Sequence, residues 1–331
     1  MPTPATLNAP FRLAPYFRTR VWGARNLAPW YDYRVAEATR QEGAPADVQE
    51  AEPIGEVWLT GDQCVAETGP CAGLTLAQAT HLHAADLLGP GHADEAQFPL
   101  LMKVLFPCEK LSVQVHPDDA MARKYGEPRG KTECWYALDA QPGAEVALGL
   151  HPGSTPEAVA SAIRLGKLEE MLRWLPVRKG DMFFVDAGTV HAIGPGSVLL
   201  ETQQNSDLTY RLYDYGRPRE LHLEKSFEAM RMESSAGRVE PRTGSGDEGA
   251  ETLVESEYFR VDRIREFHTG PRKHSESVQM LFCASGEIEI AGDGFESVRL
   301  GRGQLAVIPA MCGGWSLRAE SDSEAIRAVA R

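Results

Sequence analysis

Along the 331-residue chain the apolar positions fall mostly into short alternating or continuous runs, with few stretches at helical spacing. Ile54–Thr60 (IGEVWLT) predicts a strand. Leu74–Gly89 carries apolar residues at helical spacing and ends on Gly-Pro, which predicts a helix. From Pro99 the texture changes to strands: the continuous run PLLMKVLF, the alternating EKLSVQVHP and, after the polar turn EPRGKTE, CWYAL. Pro156–Leu175 is the clearest amphipathic helical stretch, interrupted by Gly166. Strand patterns resume with DMFFV, SVLLET and LTYRLYDYG. Short strands punctuated by Gly and Pro, with some helices, predict a mainly β barrel or sandwich. Two segments break this texture. One is a loop around Arg40–Pro53. The other is the Gly/Ser-rich Glu233–Glu251, which predicts a linker or exposed loop between residues 1–232 and a smaller β domain at 252–331.

Composition narrows the function. Thirty-four Lys and Arg against 47 Asp and Glu give a net charge of −13, which argues against general attraction to nucleic acid or anionic membrane but leaves a local basic pocket open. Six cysteines without a C-x-x-C pair read as reduced thiols. The first residues lack the apolar core of a secretory signal, and no apolar run approaches the roughly 18 residues of a membrane span. The expectation is a soluble, cytoplasmic protein of unspecified oligomeric state.

The chemistry gathers in three stretches. In KLSVQVH (110–116) strand alternation puts Leu111, Val113 and Val115 on one face and Ser112, Gln114 and His116 on the other. GKTECWY (130–136) groups Lys131, Glu133 and Trp135. KGDMFFVDAGTVHAIG (179–194) is a strand, a tight turn and His191. His116, Glu133 and His191 supply two imidazoles and a carboxylate, a familiar set for a catalytic divalent ion with Zn²⁺ the first choice; Gln114 adds a neutral oxygen on the face of His116. His81 and His83 lie two apart on the 74–89 helix and read as ordinary surface or packed residues.

Gly180 to His191 resembles the second motif of cupins, G-x5-P-x-G-x2-H, with Asp186 in the Pro position. Together QVHPDD, GKTECWY, GTVHAIG and ETQQNSDLTYRLYDYG resemble type I mannose-6-phosphate isomerases in their shorter bacterial form, from about Val21 to about Met230. The resemblance implies a double-stranded β-helix (cupin) barrel in a catalytic domain, 1–232, with helical insertions. It implies one zinc ion per chain on Gln114, His116, Glu133 and His191, and a small sugar phosphate as partner. The reaction implied is interconversion of mannose 6-phosphate and fructose 6-phosphate through a cis-enediol. Arg211 takes the catalytic place, Thr209 and Tyr213 line the pocket beside it, and Glu201 is a pocket carboxylate; Trp22 and Glu56 resemble wall residues. Ser112, Lys131, Arg211 and Arg217 are candidates for the phosphate, whereas Lys103 reads as snorkelling to the surface. Glu201, Lys131 and a zinc-bound water are the candidate bases, with Glu201 preferred. In the C-terminal domain the same motif, Gly303 to Gly314, has Gly314 where His191 stands, so this degenerate cupin is expected to hold no metal. A cupin oxygenase using Fe(II) on the same ligands and a non-catalytic sugar-binding cupin are the alternatives.

Overall fold

In the computed structural model, the residues described are 6–32, 52–92, 95–243, 250–265, 276–319 and 322–331. Most of the loop expected at Arg40–Pro53 lies outside them. The chain is mainly β and forms two two-sheet units. In the first, a seven-stranded sheet is ordered Gly237–Val239, Met182–Val185, Glu133–Ala140, Ser197–Gln204, Leu100–Leu105, Ile54–Trp58 and Tyr16–Ala24. A five-stranded sheet faces it, ordered Tyr210–Tyr213, Val113–Val115, His191–Ile193, Glu145–Leu150 and Leu172–Pro176. Pairing is antiparallel throughout. Trp135, Phe183, Val185 and Leu199 from the first sheet meet Val146, Leu148 and Ile193 from the second, filling the space between them.

In the second unit, Leu305–Ile308, Gln279–Ser285, Glu324–Ala330, Phe259–Ile264 and Ala250–Glu255 form most of a seven-stranded sheet. It packs through Leu281, Cys283, Ala306 and Ala325 against the three-stranded sheet Val298–Gly301, Glu287–Gly292 and Trp315–Ala319. One apolar cluster, including Val57, Leu101, Met102, Phe259, Met280 and Phe282, joins the two units back to back.

Three expectations need correction. Phe11–Leu13 pairs with Leu305–Val307, so the start of the chain belongs to the C-terminal sheet rather than to a continuous 1–232 unit. The stretch read as a linker contributes strands: Gly237–Val239 extends the first sheet beside Met182–Phe184, and Arg242–Thr243 pairs with Glu251–Thr252. Edge strands satisfy only backbone groups on one side, so a polar, Gly-containing sequence suffices there; residues 244–249 lie outside those described. The amphipathic run 156–175 is a helix only over Pro156–Arg164, followed by a 3₁₀ turn, Leu168–Met171, and the strand Leu172–Pro176. Gly166, at φ +68°, takes the left-handed conformation that ends the helix. The helix at 74–89 spans Leu76–Leu88, with Thr75 and Gln78 forming a reciprocal N-terminal cap; His81 is exposed on it, and the helix kinks at His83. All six cysteines are unbridged, five of them buried. Among the described residues no helix is long and apolar enough to cross a membrane.

Candidate active site

Strand register assembles the site. His191 stands opposite Gln114, and Gln114 opposite Arg211, so three neighbouring strands of the five-stranded sheet present these side chains side by side. In the facing sheet Lys103, Glu201 and Trp135 are cross-strand partners, and Glu133 pairs with Gln203. The turn before His191 needs Gly188, at φ +87°, whose N–H donates to the His116 carbonyl at 2.8 Å.

His116, Glu133 and His191 are all buried, and their ligand atoms lie within 4.8 Å of one another. Glu133 reaches His116 Nε2 at 3.6 Å and His191 Nε2 at 3.4 Å. Each imidazole has Nδ1 against a carbonyl oxygen, His116 on Leu208 at 2.7 Å and His191 on Thr189 at 2.9 Å. A carbonyl only accepts, so Nδ1 carries the proton and Nε2 presents its lone pair. Burial holds both imidazoles below their usual pKa, His191 at about 4, which keeps them in the neutral, metal-binding form. His191 Nε2 is buried without a hydrogen-bond partner, 3.4 Å from Glu133. An orphaned lone pair of this kind is costly to bury, and a divalent cation shared with the carboxylate satisfies it. The donor set therefore fits a divalent metal.

Beside it lies a cavity of about 400 Å³ lined by Trp22, Glu56, Ser112, Gln114, Lys131, Glu133, Glu201 and Arg211 among others. Most of the sequence-derived site residues thus meet at one place: His116 and His191 complete the cluster at Glu133, and Trp22, Glu56, Ser112, Gln114, Lys131, Glu201 and Arg211 face the cavity. Lys131 Nζ lies 2.9 Å from Glu133, 3.1 Å from His116 Nε2 and 3.4 Å from Glu201. Burial works against its charge, but Glu133 and Glu201 outweigh that and raise its pKa, so it remains an ammonium. Burial and then Glu133 push the Glu201 carboxyl upward, against the pull of Lys103 and Lys131. Arg211 donates Nε to Ser112 Oγ at 3.3 Å and Nη1 to the Glu220 carbonyl at 2.8 Å.

Three expectations fail here. Lys103 does not snorkel: it sits mid-strand between two paired neighbours, 4% exposed, with Nζ 3.4 Å from Glu201 in the cavity wall. Tyr213 leaves the cavity because the register slips between Arg211 and Tyr213, and its hydroxyl points to the Gly166 carbonyl at 3.4 Å. Thr209 does line the cavity. Arg217 faces elsewhere, and Arg219 takes a place in the wall. Arg20, Asp207 and Arg219 are wall residues that sequence reasoning missed. The only signal for Arg219 was its place in the charged run that follows LTYRLYDYG.

Two facing antiparallel sheets with this His/Glu/His cluster between them define a cupin-like protein with a candidate divalent-metal centre. The family model for the phosphomannose isomerase type I catalytic domain matches residues 11–161. Mannose-6-phosphate isomerase ManA of Bacillus subtilis is 37% identical over 290 residues, covering 84% of this chain and 86% of that one. The mannose-6-phosphate isomerase of Streptococcus mutans is 31% identical over 318 residues, 92% and 94% of the two chains. The crystal structure of the Bacillus subtilis mannose 6-phosphate isomerase superposes with a TM-score of 0.82 at 30% identity, over 97% of this chain and 99% of that one. The Salmonella typhimurium enzyme in its apo form, 16% identical with a TM-score of 0.72 over 99% of this chain and 100% of that one, shares the fold. The chain belongs to the type I mannose-6-phosphate isomerase family and is an isomerase.

Proposed function

We propose that the protein interconverts mannose 6-phosphate and fructose 6-phosphate through a cis-enediol, using one Zn²⁺ held by His116, Glu133 and His191 with Gln114 as a fourth, neutral ligand. The observation that carries this reading is the convergence of the buried cluster with Lys131, Glu201 and Arg211 on one polar cavity, in a chain of this family. When bound, the metal supplies Lewis acidity toward the sugar oxygens.

The side chains do the rest. Glu201 is the base: it takes the proton from C2 of the open-chain aldose and returns it to C1, and the hydroxyl proton passes from O2 to O1. Burial and the adjacent Glu133 raise its basicity above that of a surface carboxylate. Lys131 and Lys103, each 3.4 Å from Glu201, hold it in place as fixed cations. The Arg211 guanidinium, oriented by Ser112 and Glu220, stabilises the negative charge that develops on the sugar oxygen. Trp22, 4% exposed, and Glu56 shape the opposite wall. The C-terminal unit, with Gly314 in place of a histidine, acts as packing support and holds no metal. The reading is of a cytoplasmic enzyme acting on a small diffusible substrate.

The test is direct. Chelator-treated protein incubated with fructose 6-phosphate yields no mannose 6-phosphate, and addition of Zn²⁺ restores the reaction with about one metal bound per chain. Full turnover by metal-free protein, or two tightly bound metals per chain, overturns the reading.

A further inference from the structure

Arg211 lies on the outermost strand of the five-stranded sheet, Tyr210–Tyr213, whose far side has no partner strand. It stands opposite Gln114, and the register slips directly after it, between Arg211 and Tyr213. The Arg211 N–H donates to His222 Nδ1 at 3.2 Å, and the Arg211 carbonyl accepts from the His222 N–H at 2.8 Å. Both backbone groups therefore point off the edge of the sheet, so Arg211 and Gln114 form a pair that exchanges no hydrogen bonds. The backbone polar groups of Arg211 thus rest on His222 rather than on the neighbouring strand.

The chain folds back to bring His222 there. After the strand, Tyr215 at φ +56° and Gly216 at φ +80° form a tight reversal. Buried Asp214 closes it, accepting from Arg219 Nε at 2.6 Å and Nη2 at 2.7 Å. Residues 220–222 then run along the open edge, where the Glu220 carbonyl also takes Arg211 Nη1 at 2.8 Å. The helix Leu223–Ala229 follows, with Phe227 and Ala229 packed against the cluster that holds Tyr210 and Leu212. His222 occupies the capping position of this helix, where Ser, Thr, Asp and Asn are favoured because their short side chains take a free N–H of the first turn. Its imidazole makes no such bond. It is turned to Arg211 instead, which marks a duty outside the helix. Accepting at Nδ1 puts the ring proton on Nε2, 3.9 Å from Glu220 Oε2.

We propose that His222 is a positioning residue for the isomerisation: through Nδ1 and its backbone N–H it holds the Arg211 backbone so that the guanidinium meets the sugar oxygen on which charge develops. This rests on the reading of Arg211 as the group that stabilises that charge. Because such a contact is made chiefly in the transition state, its loss lowers kcat and kcat/KM together and leaves KM nearly unchanged.

The test uses full-length, Zn²⁺-loaded protein and three variants. In His222→Asn the side-chain oxygen stands where Nδ1 does, in His222→Gln it reaches the place of Nε2, and His222→Phe keeps a ring without an acceptor. Measured are kcat and KM with fructose 6-phosphate per folded molecule, metal content, and hydrogen exchange of the Arg211 amide. Loss of the acceptor predicts a fall in kcat of about tenfold for His222→Phe and His222→Gln, unaltered metal content, and Arg211 amide exchange faster by about tenfold or more. His222→Asn recovers most of both losses. Wild-type kcat in His222→Phe overturns the proposal, as does a loss that His222→Asn does not recover or one confined to KM; His222→Gln carries the test if His222→Phe does not fold. Failure of the isomerase reading looks different. Wild-type protein then yields no mannose 6-phosphate, or Arg211→Gln keeps full turnover, while the Arg211 amide still loses protection in His222→Phe; that result overturns the reading and leaves the backbone clamp standing.

Discussion

Substituting Gly130 by alanine tests how the site is assembled. Residues 130–132 lie against residues 117–119, the segment that follows His116. The Lys131 N–H donates to the Pro117 carbonyl at 3.0 Å, and the Gly130 N–H donates to Asp119 Oδ1 at 2.7 Å. Gln204 closes the arrangement from the strand that carries Glu201, accepting from the Thr132 N–H at 2.9 Å and donating to Asp119 at 3.0 Å. A Cβ at Gly130 falls 2.5 Å from the Pro117 oxygen and the Asp118 carbonyl carbon, and 2.7 Å from the Asp119 nitrogen. All three are backbone atoms, so no rotamer relieves the collision. Restoring an ordinary contact of 3.4 Å requires the segments to separate by about 0.9 Å. That separation weakens one neutral and one charge-assisted hydrogen bond, together about 2–4 kcal/mol. It also shifts Lys131 and Glu133 away from His116, and a displacement near 1 Å is enough to lower turnover about 100-fold. Urea unfolding gives the first quantity, and kcat with metal titration gives the second. Gly130→Ala with wild-type stability, turnover and metal affinity refutes this account of the site.

Four further outcomes follow from the arrangement of these side chains. Glu133→Gln removes the anionic member of the cluster, so metal content after dialysis falls to near zero while the β fold, followed by circular dichroism, persists. Lys103→Met leaves the buried Glu201 and Glu56 carboxylates with one cation fewer, so it destabilises by about 3–5 kcal/mol and lowers turnover per folded molecule about tenfold or more; equal turnover removes Lys103 from the mechanism. Burial alone raises the Glu56 pKa, but Lys103, Arg20 and the Trp58 N–H override it and hold the carboxyl at about 2 against an ordinary 4.5. The stabilisation this gives is full above about pH 4.5 and is lost as pH falls toward 2, so the stability gap between wild type and Glu56→Gln, measured by urea at pH 6, 4 and 3, narrows as acid is added. In the C-terminal sheet Asp262 accepts from Arg327 at 2.7 Å and from Thr252 at 2.9 Å in a buried setting, so Asp262→Ala destabilises by about 3–5 kcal/mol without altering turnover per folded molecule.

The sequence was legible wherever one short word holds both strand pattern and chemistry. KLSVQVH states its own alternation over Ser112–Val115, and the structure keeps Val113 and Val115 in the core while Ser112 and Gln114 face the cavity; Leu111, expected beside the valines, lines the cavity instead because the strand begins only at Val113. The tight turn before His191 is written in its glycine. Lys103 was misread because a lysine inside PLLMKVLF looks the same whether the strand lies at an edge or in the middle, and only the pairing with Glu56–Trp58 and Leu199–Gln204 decides it. Tyr213 failed because a register slip inverts strand parity without leaving a local mark. Arg219 and Asp214 were hidden because their pairing depends on the reversal at Tyr215 and Gly216. The strands at Phe11–Leu13 and Gly237–Val239 were missed because both depend on distant partners.

The pairing of Phe11–Leu13 with Leu305–Val307 bears on how the molecule is made. Phe11–Leu13 has no partner strand until Leu305–Val307 has been made, so the C-terminal sheet stays incomplete until then. Until then the newborn chain exposes Phe11 and the apolar back of the first unit. Removing Leu305–Val307 therefore leaves Phe11–Leu13 without a place to settle.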